Sequence, residues 1–196
     1  MSDRRDDLLA AAARRFIAVG ISKTTMEDIA REARAGKATL YRYFGNKEAV
    51  VDALVEREAE RFVGNVTAAA QSHDTTLDRL EAAFVAGVRF FVRHPVLTKG
   101  RDEEPGLILP RVTATGGPVV EAGLALFAEL VEEGMAAGDL RPVEPRPAAE
   151  MLLRLILSYF TFPPMVVAVD DDEAARAFAR SLVAGGLRSE PAAATT

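Results

Sequence analysis

Three observations predict an all-α chain. Apolar residues recur with helical period in almost every segment. No stretch alternates apolar and polar residues as a half-buried strand would. Capping residues and Gly/Pro breakers divide the chain at helix-like intervals. The pattern gives three short helices followed by a bundle of about six longer ones.

The elements follow in order. Leu9, Ala12, Ala13 and Phe16 fall on one helix face, and Gly20 is placed to end that helix. Thr25-Met-Glu-Asp28 has the spacing of a capping box and opens a short helix through Ile29 and Ala33. A second short helix spans about Gly36 to Phe44. Asn46 caps a long helix reaching about Gln71, with Glu48 in its first turn. Thr75 or Thr76 caps the next, whose stripe is Leu77, Leu80, Phe84, Val88 and Phe91 and whose stop is His94-Pro95. Residues 98–118 read as irregular, with one or two short helices among their glycines and prolines. Val120, Leu124, Phe127 and Val131 mark a helix closing near Gly138. Asp139–Pro147 reads as a loop, and Ala148 to about Phe162 as a helix broken by Pro163-Pro164. Asp170–Glu173 starts a last helix facing inward through Ala175, Phe178, Ala179, Leu182 and Gly186.

Composition narrows the function. Apolar residues make up 49% and charged residues 27%, enough for a core and unlike a disordered chain. There is no cysteine, which excludes disulfides, thiolate metal sites and cysteine nucleophiles. No signal-peptide core and no unbroken apolar run of membrane length stands out, so a cytoplasmic protein without a membrane partner is expected. The longest apolar stretch, 152–169, is interrupted by Arg154, Ser158 and Pro163-Pro164. Net charge is −5, but it is divided: residues 1–48 hold ten Lys/Arg against seven Asp/Glu, and the rest hold fourteen against twenty-two. A basic head before an acidic body would approach a phosphate backbone head first.

Two short helices joined by a tight turn at Arg34-Ala35 form a helix-turn-helix, which lays its second helix in the DNA major groove. The inner face carries Ile29, Ala30, Ala33, Leu40 and Phe44, with Phe16 from the helix before. The outer face offers Lys37, Thr39, Tyr41, Arg42 and Tyr43, groups that reach phosphates, thymine methyls and guanine edges. Lys47 opens the next helix, where a cation is unfavourable unless it meets an anion. By spacing alone, a solvated face on a helical hairpin remains the competing reading.

The stretch Thr24-Thr-Met-Glu-Asp-Ile-Ala-Arg-Glu-Ala33, followed by Gly36-Lys-Ala-Thr-Leu-Tyr-Arg-Tyr-Phe-Gly-Asn-Lys-Glu48, resembles the N-terminal domain of tetracycline-repressor-like (TetR family) regulators. The resemblance covers about a quarter of the chain strongly, and the remainder matches in layout. It implies a three-helix DNA-binding head at 1–48, a ligand-binding and dimerisation bundle at 49–188 and a flexible tail at 189–196. It places base and phosphate contacts on Lys37, Ala38, Thr39, Tyr41, Arg42 and Tyr43, with Lys47 on the backbone and Thr24 or Thr25 near a phosphate. The chain departs from the family at the turn, which reads Ala33-Arg34-Ala35-Gly36 in place of Ala-Gly-Val-Ser. Arg34 therefore sits where glycine accepts positive φ, and Gly36 removes a capping serine. Met26 stands where some members carry a polar contact residue.

The resemblance also implies a small-molecule effector in the body. Phe62, Phe84, Val88, Phe91, Phe127, Leu130, Leu155, Tyr159, Phe162 and Met165 are candidates to line its cavity. For any one of them, core packing is the favoured reading. Arg154, Ser158 or Tyr159 would be polar anchors, and Arg89 an alternative one, for an apolar or amphipathic ligand. His73 and His94 have no ligand-spaced neighbours, and Asp170-Asp-Asp-Glu173 reads as an acidic helix start, so no metal and no cofactor is expected. One helix-turn-helix buries too little surface for high specificity, and the helices at about 148–162 and 171–187 carry wide apolar faces. A homodimer on a palindromic double-stranded operator, most simply a repressor released by its effector, is the expectation. No hydrolase elbow, phosphate loop, zinc motif or dinucleotide fingerprint points to an enzyme. The remaining rival is a helical protein-interaction or structural bundle, which leaves the Tyr/Lys/Arg helix unexplained.

Overall fold

The computed structural model describes residues 4–187. The tail expected at 189–196 lies outside the described residues. Ten α-helices are found among the described residues: α1 (Arg4–Val19), α2 (Met26–Glu32), α3 (Lys37–Phe44), α4 (Lys47–Gln71), α5 (Thr76–Arg93), α6 (Pro95–Glu103), α7 (Pro105–Thr113), α8 (Pro118–Ala136), α9 (Pro145–Thr161) and α10 (Asp172–Gly186). The expected caps are in place. Thr25 and Asp28 close a reciprocal box on α2, the Ala49 amide donates to Asn46 Oδ1 at 2.8 Å, and Asp78 N donates to Thr75 Oγ1 at 3.1 Å. The acidic run before α10 supplies another, since Asp171 accepts from Ala174 N.

Two stretches differ from the sequence expectation. Residues 98–118 hold the two short helices expected there but are otherwise less irregular than read: α6 starts directly at Pro95 and α7 at Pro105. Proline is suited to a helix's first turn, where its missing N–H has no intrahelical partner to lose. His94 both ends α5 and caps α6, its ring accepting from Leu97 N. For the same reason α9 begins at Pro145, inside the segment read as a loop. Among the described residues one helical stretch, Pro105–Ala136, running through α7 and α8, is long and apolar enough to cross a membrane by length and composition. Such a stretch is weak evidence for a membrane, since core helices of soluble proteins share its composition.

The chain divides into two compact units. The first is Met1–Glu60 with Arg93–Val119, and the second is Arg61–Val92 with Val120–Thr196. In the first, Leu8, Leu9, Phe16, Ile29 and Leu40 are sealed from solvent, as are Val50, Ile108 and Val112. Gly100 on α6 has no room for a side chain because Ile108 of α7 packs against its Cα. Arg111 of α7 pairs with Asp52 of α4 at 2.7 Å. In the second unit, Phe62, Phe91 and Phe160 form a chain of ring contacts, with centroids 5.4 Å apart at each step. Phe84, Phe127 and Ile156 are buried in the same unit. Arg180 pairs with the buried Glu81 at 3.2 Å.

One buried polar cluster sits inside the first unit. Glu58 is 2% exposed and His94 is 8% exposed. Because His94 Nδ1 accepts from Leu97 N at 3.3 Å, the ring proton is assigned to Nε2, which donates to Glu58 Oε2 at 3.0 Å. Arg57 donates to the other oxygen at 2.8 Å. Burial works to raise the Glu58 carboxyl, but the bonds from His94 and Arg57 outweigh it and hold it at about 2. The unfolded carboxyl, near 4.5, takes up a proton that the folded one refuses until about pH 2. This contribution is complete above the higher value and drains away as pH falls toward the lower. Urea melts of the parent should therefore lose on the order of 2 kcal/mol more than Glu58→Gln between about pH 5 and pH 3. Equal losses in both proteins would remove Glu58 as the source.

Candidate nucleic-acid interface

The helix-turn-helix is built as its sequence requires. Met26, Ile29 and Ala30 of α2 and Leu40 and Phe44 of α3 are buried, so the two helices share one apolar inner side. α2 ends in a Schellman turn: Arg34 N donates to Arg31 O at 3.1 Å and Ala35 N to Ala30 O at 2.9 Å. That turn needs one left-handed residue, and it is Arg34, with φ 48°. No other non-glycine residue among those described has positive φ. Gly36 occupies the N-cap of α3 and supplies no side-chain cap.

The outer face of α3 is open. Tyr41 is 42% exposed and Tyr43 41%, while Lys37, Ala38 and Arg42 are exposed and Thr39 is half-buried. Two cations lie near the rings, Lys37 at 6.0 Å from the Tyr41 centroid and Arg42 at 5.8 Å from that of Tyr43. Lys37 also pairs with Glu27 of α2, which raises the lysine above its usual range and lowers the glutamate. DNA phosphates would have to compete with that carboxylate for Lys37. Of the two threonines, Thr24 is fully buried and donates its hydroxyl to Gly20 O at 2.7 Å. Thr25 lies at the surface but shares its hydroxyl with Asp28.

Lys47 is engaged differently from the role its sequence position suggests. Its Nζ donates to Ile21 O at 3.1 Å and Ser22 O at 3.0 Å, so two of its three donors brace the loop before α2. Glu104, absent from the sequence reading, takes the other side of that loop. It accepts from Ile21 N at 2.7 Å, from Ser22 N at 2.9 Å and from the Ser22 hydroxyl. Nothing local marks Glu104, since its partners lie more than eighty positions away.

Comparison with known proteins fits this geometry. The family described as bacterial regulatory proteins, tetR family, matches residues 8–54. The HTH-type transcriptional repressor KstR2 of Mycolicibacterium smegmatis is 28% identical over 143 residues, 72% of this chain and 69% of its own. The helix-turn-helix head is thus similar to that of tetR-family regulatory proteins. Two solved TetR-like folds extend the likeness to nearly the whole length. The fatty acid degradation regulator FadR of Bacillus halodurans superposes with TM-score 0.71 at 22% identity, over 97% of this chain and 99% of FadR. AibR, solved with isovaleryl coenzyme A and operator DNA, superposes with TM-score 0.58 at 22% identity, over 90% of this chain and 96% of AibR. At these identities the two share its fold: an all-α chain with a helix-turn-helix head and a helical bundle.

The structure distributes the effector-site candidates unevenly. Phe84 and Val88 share a small apolar cavity of about 10 Å³ with Val85, Val169, Ala175 and Phe178. Leu130 lines a cleft of about 110 Å³ with Thr67, Gln71, Arg79, Leu126, Glu129 and others. Phe62, Phe91 and Phe127 are core. Leu155, Ser158 and Tyr159 are half-buried; Ser158 donates to Leu155 O, and Tyr159 stands edge-on to Phe178 with its hydroxyl pKa raised by burial. Arg154 is exposed and pairs with Glu150, while Phe162 is 71% and Met165 90% exposed. Arg89 donates to Val169 O at 2.8 Å and pairs with Asp172, while its Nη2 is buried without a hydrogen-bond partner.

A left-handed arginine is strained by roughly 1 kcal/mol relative to glycine. Arg34→Gly should therefore raise stability by about that amount in urea melts; a loss would mean that contacts of the arginine side chain outweigh its backbone strain.

Proposed function

We propose that the chain is a ligand-responsive repressor that binds a palindromic operator as a homodimer and releases it when a small apolar or amphipathic effector occupies the body. Residues 1–48 read the DNA, 49–188 bind effector and partner subunit, and the protein works in the cytoplasm without a metal or other cofactor.

One observation carries the DNA-reading role: α3 is sealed on one side by Leu40 and Phe44 and open on the other through Lys37, Ala38, Thr39, Tyr41, Arg42 and Tyr43. Such a helix inserts into the major groove with phenol, hydroxyl and guanidinium groups facing base edges. That KstR2 is a transcriptional repressor, and that AibR binds operator DNA in its solved complex, supports the same reading. So does the isovaleryl coenzyme A of that complex, an acyl ligand with a polar body. The cavity beside Phe84 and Val88, about 10 Å³, is apolar in lining but would have to widen to take the apolar part, and Arg89, bonded to Val169 of that lining, is the nearby cation for a polar end. Exposed Met151 on α9, with Phe162, Met165 and Val166 after it, supports pairing of subunits through helices 148–162 and 171–187.

The test starts from a site recovered by footprinting the purified protein on genomic fragments. Affinity for that duplex should fall by roughly a thousandfold between about 50 and 200 mM salt, and a flat response would remove the DNA reading. Tyr41→Ala should relax discrimination at one base step by about 1–3 kcal/mol. Unchanged ranking of operator variants would show that Tyr41 does not read a base.

A further inference from the structure

We propose that Glu104 is a positioning residue for DNA binding, fixing the Gly20–Thr24 loop and through it the pose of α2 and α3. The proposal rests on the DNA-binding reading above and adds to it a residue outside the helix-turn-helix.

The loop is short and gripped from two sides. Glu104 Oε1 accepts from Ile21 N at 2.7 Å and from Ser22 N at 3.1 Å, and Oε2 accepts from Ser22 N at 2.9 Å and from the Ser22 hydroxyl. Lys47 Nζ binds the carbonyls of the same two residues. Both the N–H and the C=O groups of Ile21 and Ser22 are therefore held by side chains of opposite charge. Gly20 makes the close approach feasible: its φ is +92°, and a Cβ there would lie 3.0 Å from Glu104 Oε1. Burial works against the ionised carboxyl, but the bonds from Ser22 and Ile21 prevail and hold Glu104 below its ordinary range.

Glu104 is itself well anchored. It is the junction of α6 and α7, its N–H bonded to Gly100 O and its carbonyl accepting from Leu107 N and Ile108 N. The other end of α6 is fixed by His94 on Glu58 of α4. Lys47 opens α4, so the bonds close a ring: Lys47, the loop, Glu104, α6, His94, Glu58 and back along α4. The loop is where this ring meets the DNA-reading helices. Thr24 N bonds Ile21 O, and Thr25 caps α2 immediately after. A change in the loop's three braced peptide planes would turn the α2 N-terminus, and α3 is packed on α2.

The test uses the full chain and the footprinted operator. Glu104→Gln should weaken operator binding about tenfold, with the salt slope unchanged because no phosphate contact is lost. Amide hydrogen exchange should speed up at Ile21 and Ser22. Glu104→Asp, which keeps the charge, should recover part of the affinity. Ser22→Ala should weaken binding in the parent but add little in the Glu104→Gln background, as expected for two groups acting through one contact. Operator affinity within twofold of the parent, together with faster exchange at Ile21 and Ser22, would overturn the proposal, because the loop would be free without consequence. So would an affinity loss no greater than the drop in folded fraction measured by thermal melts. Parent protein without salt-dependent binding would remove the DNA reading and this role together, whereas a normal parent with an indifferent Glu104→Gln removes this role alone.

Discussion

The backbone N–H and C=O groups of two residues, Ile21 and Ser22, carry an unusual share of the first unit's organisation. A carboxylate takes their donors and an ammonium takes their acceptors. Neither side chain is near the other in sequence, and both are half-buried. Hydrogen bonds to charged groups are stronger than neutral ones, so a five-residue loop with no helix of its own is given definite geometry. The three short helices depend on that geometry. α1 ends at Gly20, α2 is capped at Thr25, and α3 lies on α2 through Leu40 and Phe44. An exposed reading face is useful only if the rest of the head is fixed beneath it.

Much of this was legible in the sequence where the signal is local. A capping box is a three-residue spacing, and Thr25 and Asp28 form it. Asn46 and Thr75 cap where a polar residue precedes an apolar period. The left-handed turn was readable as a glycine position occupied by Arg34. What stayed hidden was either non-local or ambiguous. Glu104 looks like any surface acid in a Gly/Pro-rich stretch, because its partners lie far away in the chain. Pro95, Pro105 and Pro145 looked like breakers, although proline both ends helices and begins them. The apolar stripe of α5 reads alike whether a residue is core, as Phe91 is, or lines a cavity, as Phe84 and Val88 do. Phe162 and Met165 carried apolar chemistry but lie past the end of α9, where the chain turns outward.

Charge explains how an acidic protein presents a basic tool. The excess of cations lies in the first 48 residues, while the remainder is strongly acidic. Three of the seven acidic groups within the head are committed to named partners: Glu27 to Lys37, Asp28 to the α2 cap and Glu32 to Arg14. These pairs are exposed and contribute little to stability. A duplex engaging Lys37, as proposed, would compete with Glu27 for it. The backbone strain at Arg34 belongs to the same pattern, in which a positive charge is kept beside the reading helix at a conformational cost.

The bracing of the loop by Glu104 also bears on how such proteins are recombined. A head excised after residue 48 retains the loop and Lys47 but leaves behind the carboxylate that satisfies two of the loop's amides. The compact unit that contains the head includes Arg93–Val119, a segment that returns after an intervening helix. Grafting a new DNA specificity onto another body is then a two-piece operation. The donor must bring its α6–α7 junction, or the host must offer an acid at the equivalent place. The unit of inheritance for recognition is discontinuous in the chain, although the motif that names it is not.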